Sequence, residues 1–304
     1  MKVIVTGSTG LVGRALVRSL LADGHEVTRL VRGDSQAFRA PGTSAVRWDP
    51  ERGEIDAKEL EGHDAAVHLA GENVGEGRWD EEKKRRILES RVKGTSLLAG
   101  ALAGLSARPR VLVSASATGF YGDRGAEVLR EESASGEGFL SEVCREWEKA
   151  TLQASQAGIR VVHLRIGVVL SGEGGALPRM VTPFKFGLGG RLGSGRQYMS
   201  WIALEDLVAV IRRALADESL RGPVNAVAPG AVTNGEFTKA LGRVLGRPTF
   251  MAVPAFAARL AFGEVADAAL LAGARVEPAR LKEAGFQFQY PDIEGALRHA
   301  LKKG

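Results

Sequence analysis

The chain has 304 residues, 44% of them hydrophobic and 25% charged, with a formal net charge of +5. That composition excludes a disordered or fibrous chain, and the length allows two domains or one domain with a large lobe. A single cysteine, Cys144, excludes an intramolecular disulfide and a cysteine-built metal site, and suits a reducing compartment. The positive excess is modest and spread along the chain, so no nucleic-acid partner is expected. Its densest run, Lys83 to Arg86, follows Asp80, Glu81 and Glu82 and is expected to pair i,i+4 on a solvated helix face.

A first strand, Val3 to Val5, runs into glycines at 7, 10 and 13, and then into a helical pattern with Val12, Ala15, Leu16, Ser19 and Leu20 on one face. Strand, glycine turn and helix in this order cradle a dinucleotide pyrophosphate. Gly7 permits the tight turn, Gly10 lets the backbone approach the phosphates, and Gly13 lets the helix pack against the strand. The helix N-terminus offers unpaired N–H groups to the anion. The spacing is G-x-x-G-x-x-G rather than G-x-G-x-x-G, and an ordinary glycine turn is the alternative reading. The second strand is Glu26 to Val31, whose end meets the adenosine ribose in such a fold. Arg32 stands there and favours the 2′-phosphate of NADP over NAD. Asp34, two residues on, is the acidic group that would suit NAD, and a plain surface arginine is the other reading of Arg32.

A short third strand is predicted at Ala45 to Trp48 and a fourth at Ala65 to Gly71, whose small final residues let a cofactor lie across the sheet edge. His68 within it reads as a satisfied histidine of a half-buried strand. A long helix follows from Asp80 to Gly104, a fifth strand from Arg110 to Ser114, a polar loop from Asp123 to Gly138, a helix from Phe139 to Ala157, and a sixth strand from Ile159 to Ile166. This alternation implies an α/β fold, a Rossmann-like doubly wound parallel sheet. A glycine-rich excursion over about 171–200 is a candidate substrate loop or a plain connection. A helix from Leu204 to Leu215 and a strand from Val224 to Ala228 return to the sheet, and Thr233 to Glu236 has capping-box form. From Phe250 onward, helices separated by Pro254, Pro278 and Pro291 form a smaller, mostly helical C-terminal lobe. The expected division is 1–228 for the dinucleotide domain and 229–304 for the lobe. The apolar stretch from Pro254 to Ala274 contains Arg259, Glu264 and Asp267, and reads as an amphipathic helix rather than a membrane span. With no N-terminal signal pattern, the expectation is a cytoplasmic protein with no membrane partner.

Thr-Gly-Ser-Thr-Gly-Leu-Val-Gly at 6–13, Leu-Ala-Gly at 69–71, Ser-Ala-Ser-Ala-Thr at 114–118 and Leu-Arg-Ile-Gly-Val-Val-Leu at 164–170 resemble the extended short-chain dehydrogenase/reductases of the nucleoside-sugar epimerase type. Ala-Gly-Glu-Asn at 70–73, Arg-Trp at 78–79, Ser-Arg-Val at 90–92, Cys-Arg-Glu-Trp-Glu at 144–148, the glycine- and arginine-rich run at 187–197 and Gly-Phe-Gln-Phe at 285–288 resemble more closely an atypical, epimerase-like subgroup with a C-terminal domain of unknown function. The resemblance covers nearly the whole chain. It implies an NADP-dependent oxidoreductase or epimerase-like enzyme acting on an unidentified small molecule, as a monomer or homodimer, without a metal. It implies cofactor contacts from Gly7, Thr9, Gly10, Leu11, Val12, Gly13, Arg32, Leu69, Ala70, Arg91 and Val168. Glu72 would flank the cleft, and Arg91 would contact the NADP phosphate.

The wider superfamily works with Tyr-x-x-x-Lys on the helix after the fifth strand, the lysine lowering the tyrosine pKa. Here the tyrosines are Tyr121, Tyr198 and Tyr290, and four residues after them stand Gly125, Ile202 and Glu294. Placing the helix by Trp147-Glu148 puts Leu140 and Cys144 where the pair would be. The candidate catalytic groups are then Ser116, which matches the hydroxyl that polarises the substrate oxygen, and the nearby Tyr121. A strand-end cap is the other reading of Ser116. Cys144 is a thiol acid on one reading and a core residue on the other. A non-catalytic dinucleotide-binding sensor or scaffold is the alternative to an enzyme.

Overall fold

A computed structural model describes residues 1–33 and 41–302. Strand β1 (Lys2–Thr6) leads into helix α1 (Leu11–Ala22), followed by β2 (Glu26–Val31), β3 (Thr43–Asp49), the two-residue β4 (Glu54–Ile55) and β5 (Ala65–His68). Helix α2 (Glu81–Gly104) precedes β6 (Val111–Ala117), β7 (Val128–Leu129), helices α3 (Phe139–Lys149) and α4 (Leu152–Gln156), and β8 (Arg160–Ile166). Then come β9 (Val168–Leu170), α5 (Leu177–Lys185), β10 (Gly190–Leu192), β11 (Tyr198–Met199), β12 (Trp201–Ala203), α6 (Leu204–Ala216) and β13 (Gly222–Ala226). The remainder holds β14 (Val232–Thr233), α7 (Asn234–Leu245), β15 (Met251–Val253), α8 (Ala255–Phe262), a π-helical turn Ala266–Leu270, β16 (Arg275–Val276), α9 (Ala279–Glu283) and α10 (Ile293–Ala300).

The central sheet runs β13-β8-β6-β5-β1-β2-β3-β4, and every pairing is parallel except that of β3 with β4. This is the doubly wound, Rossmann-like α/β fold the strand–helix alternation implies. Side chains of β1 alternate between its faces: Val3 and Val5 pack with Leu16 and Leu20 of α1 and Leu207 and Ile211 of α6, while Ile4 packs with Leu98 and Leu102 of α2. Burial on both faces explains why these strands read as short unbroken apolar runs. The strand order reverses direction between β1 and β5, so a crevice opens beyond their carboxyl ends.

Three local differences from the sequence reading have physical causes. The helix expected from Phe139 to Ala157 breaks into α3 and α4, because the Thr151 hydroxyl donates to the Glu148 carbonyl at 2.8 Å and so competes for the helix ladder. The glycine-rich excursion contains α5, whose Leu177, Val181 and Phe184 are buried at helical spacing, with Pro178 in its first turn, where no N–H is needed. Residues Leu69 to Gly71 are loop, not strand. The Thr233–Glu236 capping box forms as expected at the start of α7. Toward the C-terminus a third apolar cluster joins Leu177 and Phe184 to Trp201, Phe237, Leu241 and Leu297. Leu281, Phe286 and Phe288 instead pack into the core of the central sheet.

Candidate functional site

The loop after β1 and the loop after β5 meet at the reversal point. Gly7 adopts φ +64°, and a Cβ there would come within 2.7 Å of the Leu69 carbonyl carbon. A Cβ on Gly13 would overlap the Gly7 carbonyl oxygen. Both overlaps are backbone against backbone, so this glycine cradle is pressed close against the β5 loop and the first turn of α1, and side chains at positions 7 and 13 would force it apart.

Thr6 ties the two loops together. Its Oγ1 accepts from the Leu69 and Ala70 N–H groups at 3.1 and 3.2 Å. With both lone pairs in use, the hydroxyl donates to His68 Nδ1 at 2.8 Å. His68 therefore carries its own proton on Nε2, which has no hydrogen-bond partner, and its ring stands edge-on to Trp48 with centroids 6.0 Å apart. Burial, reinforced by the nearby Arg91 charge, lowers the imidazole pKa from 6.5 to about 4. The satisfied histidine of the sequence reading is thus satisfied at one nitrogen only, and it is fully buried rather than half-buried.

Because the unfolded imidazole protonates near 6.5 and the folded one near 4, the unfolded state binds the extra proton between these values. Folding stability is therefore full above the unfolded pKa and falls as pH drops through this window. Urea unfolding across the range measures that slope. His68→Gln is expected to flatten it, and an unchanged slope in the variant would assign it to the carboxylates.

The cleft above the cradle has a volume of about 550 Å³. Its walls come from Gly7, Ser8, Thr9 and Gly10, from Arg32 and Gly33 after β2, from Arg47, Trp48 and Asp49 of β3, and from Leu69 to Glu72 with Ser90. Arg32 and Arg47 come together because Val31 and Arg47 are register partners across β2 and β3. Neither guanidinium is ion-paired to a carboxylate among the described residues. Two of the three carboxylates in the same walls, Asp49 and Glu72, are engaged. Asp49 accepts from the Glu51 and Arg52 N–H groups. Glu72 takes Lys83 Nζ at 2.7 Å, a hydrogen bond that holds its carboxyl below the usual range. This corrects the reading of the basic run. Lys84, Arg85 and Arg86 do pair with Glu81, Glu89 and Glu82 on the helix surface, but Lys83 is buried against the cleft wall.

The cleft thus collects Gly7, Thr9, Gly10, Arg32, Leu69 and Ala70 from the sequence-predicted set. Leu11, Val12 and Gly13 form the first turn of α1 behind the loop, and are not among its lining residues. Arg91 adjoins it through Gly71: a Cβ on that glycine would lie 3.2 Å from the Arg91 Cζ. Its guanidinium sits over the Trp147 ring, 4.8 Å from the centroid, and donates to the Ile87 carbonyl at 3.0 Å. Val168 lies in β9, paired with Trp201, and does not line the cleft. Asp34 lies outside the described residues. Sequence reading missed Arg47, because nothing local marks a residue that becomes a neighbour only through strand register.

At the end of β6 a second, buried constellation forms. Arg165 on β8 grips Glu148 of α3 with two nitrogens, at 2.9 and 3.0 Å. Ser116 Oγ donates to the same carboxylate at 2.8 Å. A further Arg165 nitrogen donates to the Tyr121 hydroxyl at 3.0 Å and to the Glu131 carbonyl at 3.1 Å. The Tyr121 hydroxyl in turn lies 2.7 Å from Asn225 Oδ1 and 2.9 Å from the Arg130 carbonyl, both acceptors for its single proton. The Arg165 guanidinium stacks on Phe120, 3.4 Å from the ring centroid. Tyr121 is fully buried and its pKa is pushed up, chiefly by burial. Leu140 and Cys144 both flank Gly119, across from the end of β6. The Cys144 thiol is buried, and burial, with Glu148 nearby, raises its pKa to about 11.

Among the described residues no cluster of three or more His, Cys, Asp or Glu side chains could hold a metal ion, and no helix is long and apolar enough to cross a membrane. Residues 3–226 match the model of the NAD dependent epimerase/dehydratase family. The chain belongs to this family. Residues 253–300 match a domain of unknown function, DUF1731. Epimerase family protein Mb2239 of Mycobacterium bovis is 47% identical over 302 residues, covering 99% of this chain and 98% of that one. The crystal structure of human epimerase family protein SDR39U1 (isoform 2) with NADPH superposes with a TM-score of 0.88 at 34% identity, covering all of both chains. A nucleoside-diphosphate sugar epimerase from Corynebacterium glutamicum superposes with a TM-score of 0.81 at 44% identity, covering 99% of this chain and 58% of that chain. The family and the appended C-terminal domain are those the sequence motifs resemble.

Proposed function

We propose that this protein binds NADPH in the cleft between the glycine loop and the β2 and β3 ends, and acts as an oxidoreductase or epimerase-like enzyme on an unidentified small molecule. The observation that carries the reading is the pair Arg32 and Arg47, two guanidinium groups that line the cleft together and have no carboxylate ion-pair partner among the described residues. A dianionic 2′-phosphate matches two guanidinium groups and a ribose hydroxyl does not. The cradle fits the rest of the group, since Gly7 to Gly10 line the open cleft and the close packing at Gly7 and Gly13 sets the α1 N-terminus beside it. That the human relative is solved with NADPH supports the same assignment.

The bound nicotinamide would supply hydride chemistry; the protein supplies position and electrostatics. Gly7 to Gly10 and the α1 N-terminus hold the pyrophosphate, and Arg91 bears on the cleft from behind Gly71. Of the two candidate catalytic hydroxyls we retain Ser116, at the β6 end, which would have to turn its single proton from Glu148 to a substrate oxygen in order to polarise it. Tyr121 serves to position that strand end, because its hydroxyl is committed to Arg165 and Asn225. The burial of Ser116, Tyr121 and Cys144 favours a second reading, a dinucleotide-binding sensor without turnover. Calorimetric titration with NADPH and NADH, followed by the absorbance of bound NADPH against a panel of carbonyl compounds, tests the reading. Selective NADPH binding with substrate-dependent oxidation is expected. Selective binding without turnover on a broad panel supports the sensor, and failure to bind either nucleotide overturns both.

A further inference from the structure

Seven of the ten exposed large apolar side chains among the described residues gather in one region, the others being Met1, Val128 and Leu152. Phe186 (77% exposed) and Leu188 follow α5, Phe250 (79%) and Met251 open β15, and Phe256 (71%) and Leu260 (77%) share a face of α8. These pieces adjoin, because β10 pairs with β15 and a Cβ on Gly193 would lie 3.8 Å from that of Ala255. The charge in the same segments is one-sided. Residues 174–204 contain four arginines and lysines and no carboxylate, and residues 237–263 contain four more and again no carboxylate. The net charge of +5 is therefore not spread along the chain; these two segments carry more than all of it. Three of the eight cations, Arg179, Arg243 and Arg259, reach carboxylates elsewhere. Lys185, Arg191, Arg196, Lys239 and Arg247 are exposed and have no ion-pair partner among the described residues.

We infer that this face docks on an anionic membrane surface. Side chains exposed by three-quarters protrude from the protein instead of lining a groove, and a bilayer accepts protruding apolar tips without a complementary shape. Unpaired cations around the tips match anionic headgroups. A second copy of the chain is disfavoured, because a self-complementary interface here would set cations against cations. The absence of a spanning helix has no bearing on surface binding. The face is also joined to the cofactor cleft: Arg78 donates to the Leu260 carbonyl at 2.6 Å, fastening α8 to the loop that begins with Glu72. Docking would present that loop to the membrane surface.

Sedimentation with vesicles tests the inference on the full chain, using phosphatidylcholine alone and phosphatidylcholine mixed with phosphatidylglycerol. The protein is expected to bind only the anionic vesicles and to dissociate as salt is raised. Phe256→Ser with Leu260→Ser is expected to weaken partitioning by about tenfold or more. Lys185→Glu with Arg191→Glu is expected to abolish it while leaving the apolar tips in place. Thermal unfolding of each variant guards against misfolding, since all four side chains are exposed. No binding to anionic vesicles at low salt overturns the inference. So does binding that the serine variant leaves unchanged, or a concentration-dependent dimer that the same substitutions dissolve.

Discussion

Arg165→Met is expected to lower the unfolding free energy by about 3–5 kcal/mol, the cost of leaving a buried charge without its partner. Arg165 is buried, and Glu148 is nearly so. The guanidinium supplies Glu148 with two hydrogen bonds, Tyr121 with one and the Glu131 carbonyl with one. Methionine matches the length of the side chain and keeps its contact with Phe120, so the loss measures charge and hydrogen bonding more than a cavity. Glu148→Gln in the Arg165→Met background removes the stranded carboxylate and is expected to recover a substantial part of the loss. Urea unfolding of the wild type, the two single variants and the double variant completes the cycle. A loss under about 1 kcal/mol in Arg165→Met would mean that water reaches Glu148 and that the pair does not hold the β6 end.

The nucleotide half of the fold was legible because its signals are local. The glycine triplet lies between a strand and a helix, and the parallel sheet follows from the alternation of elements. Helix α5 was not legible, since glycines on both sides and two prolines hide a three-residue apolar stripe. Within the site, Arg32 could be read from its place at a strand end, whereas Arg47 needed the β2–β3 register. Glu148 and Arg165 stand 17 positions apart on α3 and β8, and no spacing rule joins them. The stretch from Pro254 to Ala274 reads as one amphipathic helix, a signature that predicts burial, but the structure caps α8 at Gly263, φ +63°, and continues in the separate turn Ala266–Leu270. Only the structure shows that Phe256 and Leu260 point outward, because the pattern records which residues share a face and not what covers it.

Arg32→Asp is expected to weaken NADPH binding by roughly a hundredfold while changing NADH binding by no more than about threefold. The wild-type side chain would give the 2′-phosphate a charge-assisted hydrogen bond, worth about 1.5–3 kcal/mol. The aspartate both removes that bond and sets a like charge against the phosphate. NADH carries a hydroxyl at the same place, and a carboxylate there can accept its proton, so the two effects diverge in sign. Arg47 remains in the variant and limits the loss, so Arg32→Asp with Arg47→Ala is expected to exceed either single change. Calorimetry with both nucleotides separates the outcomes. Equal losses for NADPH and NADH would mean that Arg32 supports the cleft as a whole. No loss for either would leave Arg47 as the phosphate ligand, with Arg32 an ordinary surface side chain. The comparison therefore tests the NADPH assignment at the atom where the two cofactors differ.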